Sequence, residues 1–179
     1  PFMTINGESM DTCFIVGQYI AKALLGKSPL IIEECSRLMN RTIYGNSSIK
    51  SAFDIALYDI ASQNANLPLY SFLGGKKNKS LITDYTVSIG DPYKMADDAR
   101  KIKENGFNVI KVKLGYSGTS DIERIRLIRE TVGPEIPIRI DANQGWNTEE
   151  AIETLIALSP YNIQFCEEPV PRWDFMDLP

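Results

Sequence analysis

The chain changes its hydrophobic rhythm once. In its first third, apolar residues recur at three- and four-residue intervals; farther on, short β-branched runs alternate with stretches of helical period. Residues 11–25 are largely apolar and stop at Gly26, and Ser28-Pro29 supplies an N-cap and a first-turn proline for a helix running toward Met39. A third helix, over 48–63, sets Ile49, Ala52, Phe53, Ala56, Leu57 and Ile60 on one buried stripe. The following LPLYSFLGGKKNKS, with its proline, paired glycines and basic run, predicts a domain boundary, with 1–80 helical and 81–179 of another kind.

Beyond that boundary strand and helix alternate. A strand over 84–89 leads through Asp91-Pro92 into a helix carrying Met95, Ala99 and Ile102, closed by Gly106. A strand over 108–113, a helix over 121–132 with Ile122, Ile125 and Ile128 inward, a strand over 138–141, a helix over 148–158 and a strand over 163–167 complete the pattern. This βαβ repetition predicts an α/β fold with a parallel sheet, either part of a (β/α) barrel or a doubly wound sheet. Four strands do not close a barrel.

Composition narrows the function classes. Of 179 residues, 44% are hydrophobic and 23% charged, as in an ordinary globular protein. A net charge of −4 and no basic cluster interleaved with aromatics argue against a nucleic-acid partner. Cys13, Cys35 and Cys166 are far apart and form no C-x-x-C, so neither a disulfide framework nor a zinc site is suggested, and a reducing cytoplasm fits. No apolar run is long enough to span a membrane. The sequence contains no histidine, which removes Ser-His-Asp, Cys-His and H-E-x-x-H chemistry from these residues. Pro1-Phe2-Met3, without an initiator methionine, suggests a fragment.

The candidate chemistry lies at matching ends of successive strands. Lys111 and Lys113 in VIKVKLG share one strand face because side chains two apart point the same way. Two adjacent ammonium groups disfavour each other's charge, which makes a usable general base near neutral pH. A solvent-facing K-x-K on an edge strand is the bland alternative; Val109, Ile110 and Leu114 argue for a buried strand instead. Asp141 in IRIDANQGW and Glu167 in IQFCEEPV are hard oxygen donors at the ends of later strands, a fit for Mg²⁺. Taken separately, they read as a turn aspartate and a surface glutamate. Thr86 offers a hydroxyl one strand earlier.

These residues resemble the enolase superfamily, muconate-lactonizing subgroup, and most of all its dipeptide epimerases of the L-Ala-D/L-Glu type. The resemblance rests on SAFDIALYDIASQNANLPLYSFLGG, DYTVSIGDP, the K-x-K of IKVKLG, DANQGW and CEEPV, in that order. It implies the helical part of a capping domain followed by about four strands of a (β/α)7β TIM-type barrel. It further implies that Lys113 is an acid/base catalyst, that Lys111 and Thr86 bind substrate, and that Asp141 and Glu167 are Mg²⁺ ligands. The implied reaction removes and returns an α-proton beside a carboxylate, through an enediolate, on a dipeptide substrate, in a full-length protein that is a homo-oligomer without membrane or nucleic-acid partners. By the same resemblance, a third metal ligand and an opposing lysine would lie beyond Pro179. Other readings stay open: another member of the subgroup, such as o-succinylbenzoate synthase, muconate cycloisomerase or N-acylamino acid racemase; a Schiff-base aldolase using Lys113; or a non-catalytic α/β module whose lysines hold an anion.

Overall fold

The structure, a computed structural model, describes residues 3–77 and 79–177. Pro1 and Phe2, on which the reading of a missing start rests, lie outside the described residues. The chain forms two compact units, 1–79 and 80–179.

The first unit is helical: α1 (Met3–Asn6), α2 (Met10–Leu24), α3 (Ile32–Thr42), α4 (Ser47–Asn64) and α5 (Leu69–Phe72). Its core joins Val16 and Ile20 of α2, Ile32, Cys35 and Met39 of α3, and Leu57 and Ala61 of α4. Gly17 lets α2 approach α4 closely, since a Cβ there would meet Ile49 Cδ1 at 3.3 Å. The start of α4 is capped from a distance. The Asn46 side chain at its N-cap makes no capping bond to the helix, donating instead to the Tyr44 carbonyl at 2.8 Å, and the buried Glu8 carboxylate accepts from the Ser48 amide at 3.0 Å and the Ser47 hydroxyl at 3.2 Å.

Two sequence expectations change in this unit. Ser28-Pro29 opens a turn, with the Ile31 amide bonded to the Ser28 carbonyl at 3.2 Å, and α3 starts only at Ile32. The fixed φ of proline suits a turn as well as a helix start. The stripe on α4 is also narrower than its sequence period. Leu57 is buried and Ile49 and Phe53 pack on the core, but Ala52, Ala56 and Ile60 are exposed. Ala61, one turn farther on, takes the inward position.

The second unit alternates β1 (Tyr85–Val87), α6 (Pro92–Glu104), β2 (Ile110–Lys113), α7 (Gly118–Val132), β3 (Ile138–Asp141), α8 (Thr148–Leu158) and β4 (Ile163–Glu167), with 3-10 turns at Ser159–Tyr161 and Arg172–Asp177. The sheet is parallel, in the order β1-β2-β3-β4. Helix starts follow side-chain caps: Asp91 for α6, Ser117 for α7 and Asn147 for α8. β1 is shorter than 84–89: among the described residues it pairs only with β2, through Tyr85, Thr86 and Val87.

The sheet is two-faced. Val87, Ile110, Val112, Ile138 and Ile140 meet Met95, Ala99, Ile102, Ile125, Ile128, Val132, Ala151 and Leu158 of the helices in one core. The other face carries Lys111, Lys113, Arg139 and Asp141, and the period-2 alternation separates the two sets. In β4 the register slips: Ile138 faces Ile163, whereas Ile140 faces Cys166, so β4 holds one extra residue over that span. After the bulge, Asp141 and Glu167 stand opposite each other.

Candidate active site

Lys113, Asp141 and Glu167 are the last residues of β2, β3 and β4, and they form one row across the sheet, Lys113 opposite Asp141 and Asp141 opposite Glu167. One residue pair earlier on the same face runs a second row, Thr86, Lys111 and Arg139. The C-terminal ends of parallel strands are where loops from separate βα units converge, so charges drawn from distant sequence positions meet there.

Asp141 is the centre of the group. It is 2% exposed. Its Oδ2 accepts from Lys113 Nζ at 2.6 Å and pairs with Lys111 Nζ at 3.0 Å, while Oδ1 accepts from the Asn143 amide at 2.9 Å. Lys111 Nζ also donates to Glu167 Oε2. Two carboxylates from adjacent strands therefore converge on a single cationic group.

The electrostatics follow from this geometry. Burial alone would push the Asp141 carboxyl up, but the hydrogen bonds from Lys113 and Lys111 and from the Asn143 amide outweigh it, and Asp141 lies below the usual aspartate range. Lys111 is held above an ordinary lysine, first by its hydrogen bond to Glu167 and then, against a desolvation cost, by Asp141. That corrects the sequence expectation for this residue: repulsion between neighbouring lysines does not depress Lys111, because two carboxylates closer to it dominate.

Thr86 sits across from Lys111 on β1. Among the described residues no hydrogen bond joins it to the lysines or carboxylates; it borders a cleft of about 350 Å³ with Asp98, Lys101 and Phe107. Arg139 is a site-face residue that the sequence reading missed. It bonds Asp84 Oδ2 at 2.9 Å and Gln164 Oε1 at 2.9 Å, and its guanidinium lies 5.4 Å from the centre of the Phe165 ring. Its signal was its place two residues before Asp141 on one strand.

Asp141 and Glu167 are the residues suited to a divalent cation. Both oxygens that meet at Lys111 belong to hard carboxylate donors, and Asp141 is fixed from behind by the Asn143 amide. Among the described residues no group of three or more Asp, Glu, Cys or His side chains is gathered to hold a metal, so these two form a pair.

Comparison with known proteins defines the class. The family described as mandelate racemase / muconate lactonizing enzyme, N-terminal domain, matches residues 3–74, and the enolase C-terminal domain-like family matches residues 94–178. The chain belongs to the mandelate racemase and muconate lactonizing branch of the enolase superfamily, and its fold is the helical part of a capping domain followed by part of a TIM-type barrel. It is 66% identical to the D-Ala-D/L-Ala epimerase of Cytophaga hutchinsonii over 179 residues, 100% of this chain and 49% of that protein. The L-Ala-D/L-Glu epimerase of Bacillus subtilis is 39% identical over 99% of this chain and 50% of its own length. A crystal structure of the dipeptide epimerase from Cytophaga hutchinsonii, complexed with Mg and the dipeptide D-Ala-L-Val, matches with a TM-score of 0.92 over 99% of this chain and 48% of that one. The chain spans about half the length of the curated relatives it matches. No helix of the described residues is long and apolar enough to cross a membrane.

Proposed function

We propose that this chain serves a Mg²⁺-dependent dipeptide epimerase, with Lys113 as an acid/base catalyst, Asp141 and Glu167 as metal ligands, and Lys111 and Thr86 on the substrate. The observation that carries this reading is the convergence of the Asp141 and Glu167 carboxylates on one cationic group, with Lys113 bonded to the same Asp141 oxygen. The similarity to epimerases from two bacteria supports the dipeptide as substrate class.

The chemistry follows from the charges. An α-proton beside a carboxylate is too weakly acidic for a lysine unless the developing negative charge is stabilised. Mg²⁺ bound by Asp141 and Glu167 would supply that stabilisation at the substrate carboxylate and compete with both lysines for the same oxygens. Lys113, at the end of β2 and 31% exposed, is placed to move a proton between its Nζ and a substrate carbon over the strand ends. Lys111, 20% exposed and one pair deeper, favours an anionic substrate group at the floor. Epimerisation also needs a group on the opposite face of the carbon, which the family resemblance puts outside these residues.

Two alternatives predict different behaviour. An anion-binding module needs no divalent metal, and a Schiff-base aldolase is trapped by borohydride with a carbonyl substrate. The test is to incubate the full-length protein that carries this chain in D₂O with D-Ala-L-Ala or L-Ala-L-Glu and follow the α-proton signals by NMR. Signal loss with Mg²⁺ that stops on chelation supports the epimerase; exchange indifferent to metal, or none with any dipeptide, rejects it.

A further inference from the structure

Outside the lysines and carboxylates, the polar network with the widest reach starts in the first turn of α7. Asp121 is fully buried, and its carboxylate accepts from three donors: the Gly115 amide at 2.9 Å and the Trp146 indole Nε1 at 2.9 Å on Oδ2, and Arg124 Nη1 at 2.8 Å on Oδ1. Arg124, 7% exposed, carries the connection on through Nε to the Gly90 carbonyl at 3.0 Å. Gly90 follows β1, Gly115 follows β2 and Trp146 follows β3, so one Asp–Arg pair ties together the loops at three strand ends. The tie extends to the segment after β4, because the Trp146 amide donates to the Pro169 carbonyl at 3.3 Å and the Gln144 amide to the Glu168 carbonyl at 2.7 Å.

The loops after β2 and β3 also meet backbone to backbone. Gly115, at φ +106°, packs so closely on Ala142 and Gly145 that a Cβ on it would collide with the Ala142 carbonyl, and one on Gly145 would collide with Gly115. Gly115 lies two residues past Lys113, and Ala142 directly follows Asp141. Small displacements of either loop therefore pass straight to the residues of the site.

We propose that Asp121 is a positioning residue: by accepting from Gly115, Trp146 and Arg124 at once, it locks the loops after β1, β2 and β3 and so fixes Lys113 against Asp141. The catalytic consequence rests on the epimerase reading; the locking does not. An ionised carboxylate is acceptor-only and satisfies all three donors, whereas an asparagine of the same size must turn its NH₂ toward one of them, either Arg124 or the Gly115 and Trp146 pair. Groups that orient the residues of a site from behind typically cost 10–100-fold in activity when changed.

The test compares wild type, Asp121→Asn and Trp146→Phe, each in the full-length protein that carries this chain, in two readouts. Hydrogen exchange of Asp121→Asn is expected to show loss of protection together in the loops 88–91, 114–117 and 142–147, with α6, α7 and α8 still protected. In Mg²⁺-dependent α-proton exchange, its kcat per folded molecule, with the folded fraction measured by circular dichroism and used to normalise the rate, is expected to fall about 10–100-fold with KM changed far less; a loss of folded protein alone leaves the normalised kcat at the wild-type value. Trp146→Phe, which keeps the Asp121–Arg124 pair, is expected to move both readouts the same way by a smaller amount, and it decides the matter if Asp121→Asn does not fold. Wild-type loop protection or wild-type kcat in a folded variant overturns the proposal. An inactive wild type removes the epimerase reading and the catalytic consequence with it, while the protection pattern still decides whether Asp121 locks the loops.

Discussion

Asp141 and Glu167 stand directly opposite each other at the ends of β3 and β4, and the Lys111 ammonium bonds both carboxylates. The β4 bulge preserves this alignment: strict alternation from Ile163 would set Glu167 on the same face as Ile163, and the bulge takes up one extra residue so that Glu167 faces the side of Asp141. A site for one cation therefore depends on a local irregularity in a short strand.

Replacing Lys113 by alanine is expected to reduce α-proton exchange of an active preparation by about 10²–10⁴-fold, the usual worth of a positioned acid or base. Near-normal deuterium incorporation in both epimers would remove Lys113 from the mechanism.

Asp141→Asn is expected to cost roughly 1.5–3 kcal/mol of stability, since a buried carboxylate that accepts from two ammonium groups is lost. Urea unfolding with an unchanged m-value checks this. A variant as stable as wild type would mean that the two lysine contacts contribute nothing net.

Stability should also depend on pH at both ends. Asp141 is depressed when folded, so its contribution is complete above the unfolded aspartate value near 3.9 and is lost as pH falls through the lower folded value. Glu8 behaves in the same sense: burial would raise it, but the Ser48 amide and its neighbours pull it lower. Lys111 is raised when folded, so its contribution is complete below the unfolded lysine value near 10.4 and fades as pH rises through the higher folded one. Urea midpoints across pH should fall on both limbs, and Asp141→Asn should flatten the acid limb; an unchanged acid limb in that variant contradicts the assignment.

Much of this was legible in the sequence, and the reasons differ by residue. Lys111, Lys113, Asp141 and Glu167 could be read because a strand's period of two and the recurrence of strand ends are local signals. Arg139 obeyed the same rule and was passed over. The stripe on α4 came out too wide because a 3.6-residue period reports which positions are apolar, not which are covered, and Ile60 is 44% exposed. The charge state of Lys111 was illegible, since its dominant partner, Glu167, is 56 residues away. Asp121 gave no signal beyond an acidic residue in a first turn, because its role is defined by loops from three strands.

Residues 1–179 expressed alone should self-associate. Among the described residues β1 and β4 each pair on one side only, and Ile152, Ile156 and Phe165 on α8 and β4 are 55%, 68% and 49% exposed. Sedimentation velocity should show dimers or larger species; a single monomeric boundary at all concentrations would show that these edges are protected.

The most direct measurement is a crystal structure of the protein grown with Mg²⁺, or with Mn²⁺ for its anomalous signal. One metal ion is expected, coordinated by both Asp141 and Glu167 at about 2.0–2.1 Å for Mg²⁺, with Lys111 displaced from Glu167. Saturating metal with no ion between these carboxylates, and both still bonded to Lys111, would contradict it.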